Sequence, residues 1–252
     1  MRTKMRAEAT PATREDHPGA EPTAAIAIDG LVRRFGEREA LHDVSFTLEE
    51  GGTLAVFGAN GAGKTTLLRV LATLLQPHRG TVRVLGYELP REAHDLRPRI
   101  GMLAHEPLLY RDLTGRENLR FYARLYGVEP AEGRIAELLA ATGMSVRADE
   151  PVRTLSRGMA QRLAICRAAL HRPSLMLQDE PHSHLDPGAA GLVEPLIRGA
   201  PGLTRVIVSH EVERTVEEAD RVLVLSAGRV VVDAAAADVE PVGVRRLLGA
   251  VA

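Results

Sequence analysis

Apolar residues fall into two rhythms along this chain. A continuous apolar run over 24–28 and the alternation Val44-Ser45-Phe46-Thr47-Leu48 predict two strands near the start. A turn at Glu50-Gly51-Gly52 leads into Thr53-Leu54-Ala55-Val56-Phe57, a run with the character of a buried strand. A helix is predicted from 64 to about 75, closed by Pro77 and Gly80, and strands follow over 81–84 and 100–103. From about 106 to 155 the spacing turns helical. Thr114-Gly115-Arg116-Glu117 is a capping box, and Leu119, Tyr122, Leu125 and Tyr126 recur behind it on one helical face. Ile135, Leu138 and Leu139 mark a second helix that closes near Gly143. Strand signals return at 175–177, 206–208, 222–225 and 230–232. The pattern predicts an α/β scaffold with an inserted helical block, present as a single unit because no internal repeat is visible.

Chemistry enters at the junctions of these elements. Gly58-Ala59-Asn60-Gly61-Ala62-Gly63-Lys64-Thr65 matches G-x-x-x-x-G-K-[ST] and lies between a predicted buried strand and a helix start. Its glycines let backbone N–H groups turn inward around phosphates, and the helix N-terminus adds partial positive charge. Thr66 continues this loop. Lys64 is expected to reach the β- and γ-phosphates of ATP, with the Thr65 hydroxyl on Mg²⁺. Leu175-Met176-Leu177-Gln178-Asp179-Glu180 has the form of a Walker B strand ending in two carboxylates. Asp179 is expected to hold Mg²⁺ through water, and Glu180 to act as general base on the attacking water. Leu155-Ser156-Arg157-Gly158-Met159-Ala160-Gln161-Arg162 opens another helix, with Ser156 as N-cap and Met159, Leu163, Cys166 and Leu170 forming an apolar face.

Charge and composition narrow the class. A formal net charge of -1 argues against a broad nucleic-acid face, which needs clustered excess cations. No apolar run approaches the ~18–20 residues needed to span a bilayer, so membrane work requires other chains. The single cysteine, Cys166, has no partner for an internal disulfide, which fits a cytoplasmic setting. Residues 1–22 lack a continuous apolar segment and are expected to form a disordered tail rather than a secretory signal.

Taken in order, these motifs resemble the ATP-binding cassette (ABC) transporter ATPase subunits, over about residues 24–232. The segment at Ser156 is similar to that family's LSGGQ signature. The resemblance implies a P-loop NTPase fold of ABC type, with an inserted helical subdomain (about 106–160) and N-terminal antiparallel β strands. The cassette then covers 23–235, followed by a short tail at 236–252. It implies that Ser156 and Gly158 contact the ATP held by a partner subunit, and that Ser183-His184-Leu185-Asp186 is the D-loop lining the seam. His210, after Val206-Ile207-Val208-Ser209, takes the place of the switch histidine at the γ-phosphate. Phe35 matches the aromatic that stacks on adenine, with a core position as the other reading. The implied partners are a second cassette, as a homodimer, and integral membrane permeases, with this chain on the cytoplasmic face. No direct haem binding is expected.

The sequence departs from the family at several points. His105 stands in place of the Q-loop glutamine, and imidazole suits Mg²⁺ through water rather than directly. Arg157 and Met159 replace a glycine and the glutamine of the signature, Gln178 interrupts the Walker B run, and His182 and His184 flank Ser183. His105, together with Leu109 through Gly127, resembles the haem-exporter subunit of cytochrome c biogenesis, which implies haem export. The alternatives are a drug, ion or lipid exporter ATPase and a non-transport cassette protein; the latter class typically carries two cassettes, long coiled coils or zinc-binding insertions, none of which is visible.

Overall fold

A computed structural model describes residues 24–250, so the segment expected to be a disordered tail lies outside the described residues. The chain runs β1 (Ala24–Phe35), β2 (Arg38–Glu49), β3 (Thr53–Phe57), α1 (Lys64–Leu71), β4 (Arg79–Val84), β5 (Tyr87–Leu89), α2 (Ala93–Leu96) and β6 (Ile100–Leu103). It continues through α3 (Gly115–Tyr126), α4 (Ala131–Ala141), α5 (Arg157–Ala169), β7 (Leu175–Asp179), α6 (Pro187–Arg198), β8 (Thr204–Val208), α7 (Val212–Glu217), β9 (Arg221–Ser226), β10 (Arg229–Ala235) and α8 (Pro241–Ala250).

Two sheets divide the strands. The first, in the order β2-β1-β4-β5, is antiparallel, and the period-two rhythm decides its face. Val44, Phe46 and Leu48 turn inward from β2, with Phe46 opposite Ile28 and Leu48 opposite Ile26. The second sheet, β10-β9-β3-β8-β7-β6, is parallel except for its β10 edge. β3, β7 and β8 are buried along their whole length, which suits the apolar runs 54–57, 175–177 and 206–208. Inside β7 the Gln178 amide nitrogen donates to the Ile197 carbonyl at 2.7 Å, while its Oε1 is buried without a hydrogen-bond partner. Packed between the sheets, α1 joins them in one core with Leu67, Leu68 and Leu71.

The helical block has a core of its own. Leu119 from α3, Ile135, Leu138 and Leu139 from α4, and Leu163 and Cys166 from α5 pack together and against Met176 of β7. The capping box forms as expected: Thr114 Oγ1 accepts from Glu117 N at 3.1 Å, and Glu117 Oε2 accepts from Thr114 N at 2.8 Å. Gly127 closes α3 with φ of 65°. Cys166 is fully buried, bonded to Thr142 Oγ1 at 3.2 Å, and its thiol is pushed up to about 12 by burial.

Three boundaries differ from the sequence expectation. α1 stops at Leu71, because Thr73 turns to φ of 62°, which a helix cannot continue. Residues 106–114 precede α3 as irregular chain; Asn118, wholly buried, ties that segment down through Tyr110 and Leu113. The stretch expected to be a short tail forms α8, and Val244 on it is buried beside Val212 and Val216 of α7. Among the described residues, no helix is long and apolar enough to cross a membrane.

Candidate nucleotide site

The buried strand β3 delivers the glycine-rich loop to the sheet's C-terminal edge, where β7 and β8 also end. Gly63 has φ of 109°, and a Cβ there would lie 2.7 Å from the Ala40 carbonyl oxygen, so only glycine fits. Lys64 curls back into the loop: its Nζ donates to the carbonyls of Gly58 at 2.6 Å and Ala59 at 3.0 Å. Burial lowers the lysine's pKa, against the opposing charges of Glu180 and Asp179. One turn of the loop away, Thr65 Oγ1 donates to Asp179 Oδ2 at 3.2 Å.

Glu180 follows β7 in a left-handed conformation, φ 54°, which turns its side chain toward the end of β8. Its Oε2 accepts from the backbone N–H of His210 at 3.4 Å, and Oε1 is buried without a hydrogen-bond partner. Burial raises the Glu180 pKa, partly offset by the charge and N–H of His210.

These groups border one open cleft of about 740 Å³. Phe35, Asn60, Gly61, Ala62, Gly63, Lys64, Thr65, Thr66, His105, Asp179, Glu180 and His210 all line it, so most of the residues expected at the site are brought together. Gly58 and Ala59 sit just behind, on the Lys64 ammonium. Phe35 is 46% exposed at the mouth, which removes the core reading, and the Arg33 guanidinium covers it at 4.8 Å from the ring centroid. Arg38 and Arg69 also line the cleft and were missed; neither lies in a recognisable motif.

Ser156 and Gly158 are not part of this cleft. Ser156 caps α5, its Oγ accepting from Met159 N at 3.3 Å. At Gly158 a Cβ would stand 2.7 Å from the His184 carbonyl oxygen, so the signature turn and the 183–186 turn are in backbone contact. Behind them Gln161, buried, donates to the Pro181 carbonyl at 3.3 Å.

The family model described as "ABC transporter" matches residues 41–183. The chain belongs to the ABC transporter family. It is 37% identical to the daunorubicin resistance ATP-binding protein DrrA3 of Streptomyces coeruleorubidus, over 84% of this chain and 68% of that one. It is 35% identical to the Nod factor export ATP-binding protein I of Ralstonia nicotianae, covering 84% and 67%. With the ABC transporter ATP-binding protein NatA of Bacillus subtilis it shares 35% identity, over 82% and 87%. Among solved structures, an ATP-binding subunit of an ABC transporter superposes with a TM-score of 0.81 at 27% identity, covering 89% of this chain and 99% of that one. A bacterial ABC transporter cassette solved as a dimer gives 0.76 at 25%, covering 84% and 98%.

This ABC subunit therefore binds ATP and is an ATPase coupled to transport. The haem-export expectation finds no support in these relatives, whose names speak of drug resistance and Nod factor export.

Proposed function

We propose that this ABC ATPase powers a drug-type exporter, closing as a homodimer around two Mg-ATP at the cytoplasmic face of a membrane. The separation of the half-sites carries the reading: Lys64, Thr65, Asp179, Glu180 and His210 share a cleft, while Ser156 and Gly158 lie outside it. A second copy related by a two-fold axis brings its signature turn to each cleft and completes both sites at once. Relatives named for drug resistance and Nod factor export support the exporter cargo over haem.

Within each site the roles follow from the chemistry. Lys64 exchanges its loop carbonyls for the β- and γ-phosphates. Thr65 Oγ1 and Asp179 Oδ2, 3.2 Å apart, are hard oxygen donors of the kind Mg²⁺ takes. Bound there, Mg²⁺ neutralises phosphate charge. Phe35, backed by Arg33, stacks on the adenine. Glu180 accepts the proton of the attacking water, a task for which its raised pKa makes it a stronger base. His210 and His105 flank the γ-phosphate end, His105 through water.

The membrane partner meets an exposed surface on the helical block. Leu108, Tyr110, Phe121 and Leu125 are all exposed, with Tyr110 and Phe121 edge to face at 5.0 Å. An apolar patch of this kind on a soluble face supports a docking site for a permease segment.

Light scattering of Glu180→Gln with Mg-ATP is expected to give a dimer, because the variant keeps ATP but cannot activate water. A monomer with ATP bound would overturn the sandwich. Loss of drug export in a deletion strain that keeps its haem-stained c-type cytochromes is the expected cargo result. Loss of those cytochromes instead would restore the haem reading.

A further inference from the structure

We infer that Glu194, clasped by His182 and Arg214, is a positioning residue that locks the turn carrying Glu180 to the turn carrying His210. The inference rests on the roles of Glu180 and His210 given above and concerns how their relative placement is held.

Three separate segments meet at this carboxylate. His182 lies two residues past Glu180, on the exit from β7. Arg214 lies four residues past His210, on α7. Glu194 projects between them from α6. Its Oε2 is 3.0 Å from His182 Nε2 and accepts from Arg214 Nη2 at 2.6 Å. The other oxygen, Oε1, accepts from Arg198 Nε at 2.6 Å, so both oxygens are engaged. Arg214 Nη2 also lies 2.9 Å from His182 Nε2, which closes the triangle.

At their root the two turns share a backbone bond, Glu180 N to the Val208 carbonyl at 2.9 Å, but the contacts of the Glu180 side chain with His210 are much weaker. Glu180 touches His210 through one N–H at 3.4 Å and a side-chain approach of 3.4 Å. Those are long for hydrogen bonds, whereas the charge-assisted contacts at Glu194 are short. Beyond the backbone bond at their root, the side-chain link between the turns is the Glu194 cluster. His182 is nearly enclosed and Glu194 is largely covered, their side chains 9% and 21% exposed. Burial pushes the Glu194 pKa up, but bonds from Arg198 and His182 and the charge of Arg214 hold it below the usual range, keeping it ionised.

None of His182, Glu194 and Arg214 lines the nucleotide cleft. Their loss should leave ATP binding intact and disturb only the geometry of the hydrolytic step, where a displacement of about 1 Å can cost a large factor in rate. An ordinary surface ion pair at this place would instead change nothing measurable.

The test uses the full chain, with kcat and KM for Mg-ATP, titration with a fluorescent ADP analogue, and the thermal midpoint. Glu194→Gln is expected to lower kcat about tenfold while KM and ADP affinity stay within about twofold. Arg214→Ala should do the same, and Arg214→Lys should recover much of the rate by restoring the cation. The double variant His182→Ala with Arg214→Ala should lose no more than the worse single one, since both act through one carboxylate. Unchanged kcat in Glu194→Gln, or a rate loss matched by equal losses in ADP affinity and thermal midpoint, would overturn the inference. If Glu194→Gln does not fold, Arg214→Ala and Arg214→Lys decide alone. Glu180→Gln separates the two failures: its inactivity beside a fully active Glu194→Gln removes only the positioning role, and its activity removes the roles beneath it.

Discussion

Glu180 and His210 stand at the ends of neighbouring parallel strands, and the carboxylate of the first is held on the backbone N–H of the second at 3.4 Å. The carboxylate is largely buried there, with Oε1 making no hydrogen bond and 3.4 Å from the His210 Nε2, and burial raises its pKa. A carboxyl whose pKa is higher folded than unfolded favours the fold below its unfolded pKa, and that contribution is lost as pH rises through the folded value. At pH 7–8 the ionised Glu180 is thus a destabilising feature kept for chemistry. Glu180→Gln is expected to raise the thermal midpoint at pH 7–8. The advantage should shrink as pH falls through the raised pKa, and differential scanning fluorimetry across pH 5–8 reads it.

A second prediction concerns the lysine. Lys64 Nζ is held by two loop carbonyls and is buried, so it sits preformed at the phosphate position. Lys64→Ala removes a buried cation that, on the proposed function, meets the triphosphate. Nucleotide affinity should fall at least about tenfold, measured by fluorescent nucleotide titration.

Phe35 separates base binding from chemistry. With one face on Arg33 and the ring exposed at the cleft mouth, it offers a stacking surface and no polar group. Phe35→Ala should raise KM for ATP by a few-fold, corresponding to about 1 kcal/mol, and leave kcat unchanged. Steady-state kinetics distinguish this from a structural defect, which would also lower kcat.

Gly158 and the sequence's legibility belong together. The sequence made the P-loop, the two carboxylates and the signature turn visible because each is a local string with a mechanical reason for its residues. The buried strands and the capping box at Thr114 were equally visible, since they depend on near neighbours. What escaped were features built from distant partners. Arg38 and Arg69 reach the cleft from β2 and α1 without a motif, and the cluster at Glu194 joins three segments separated in sequence. The end of α1 also escaped, because Thr73 at φ 62° is not signalled by its residue type. So did α8, although Val244, Leu247 and Leu248 stand at helical spacing; it closes on α7 through Val244 and Leu248. Gly158 combines both kinds: it is legible as a signature residue, yet the His184 carbonyl 2.7 Å from its missing Cβ is a tertiary fact. Gly158→Val should therefore push the signature turn off the 183–186 turn. Mg-ATP should still bind the monomer, but a Glu180→Gln background carrying it should no longer dimerise by light scattering.

The last prediction addresses the segment before α3. Asn118 is wholly buried; its Oδ1 accepts from Tyr110 N at 2.8 Å, and its Nδ2 donates to the Tyr110 and Thr114 carbonyls at 3.0 and 2.9 Å. One amide thus supplies a partner for the Tyr110 N–H and second donors to the Tyr110 and Thr114 carbonyls, and the exposed Tyr110 ring lies beside Phe121. Asn118→Ala deletes these bonds and strands the Tyr110 N–H at the edge of the helical core, while the Tyr110 carbonyl keeps the Leu113 N–H at 3.3 Å. Leaving such groups unpaired costs about 1–3 kcal/mol each where they stay buried, so the segment should instead open to water. The expected result is faster proteolysis confined to residues 106–114, together with a modest loss in denaturant stability. The α/β core, the P-loop and Glu180 make no contact with Asn118 through these bonds, so ADP affinity should be retained. Protease resistance equal to wild type would mean that the Leu109 and Tyr122 packing, not the buried amide, holds the segment in place.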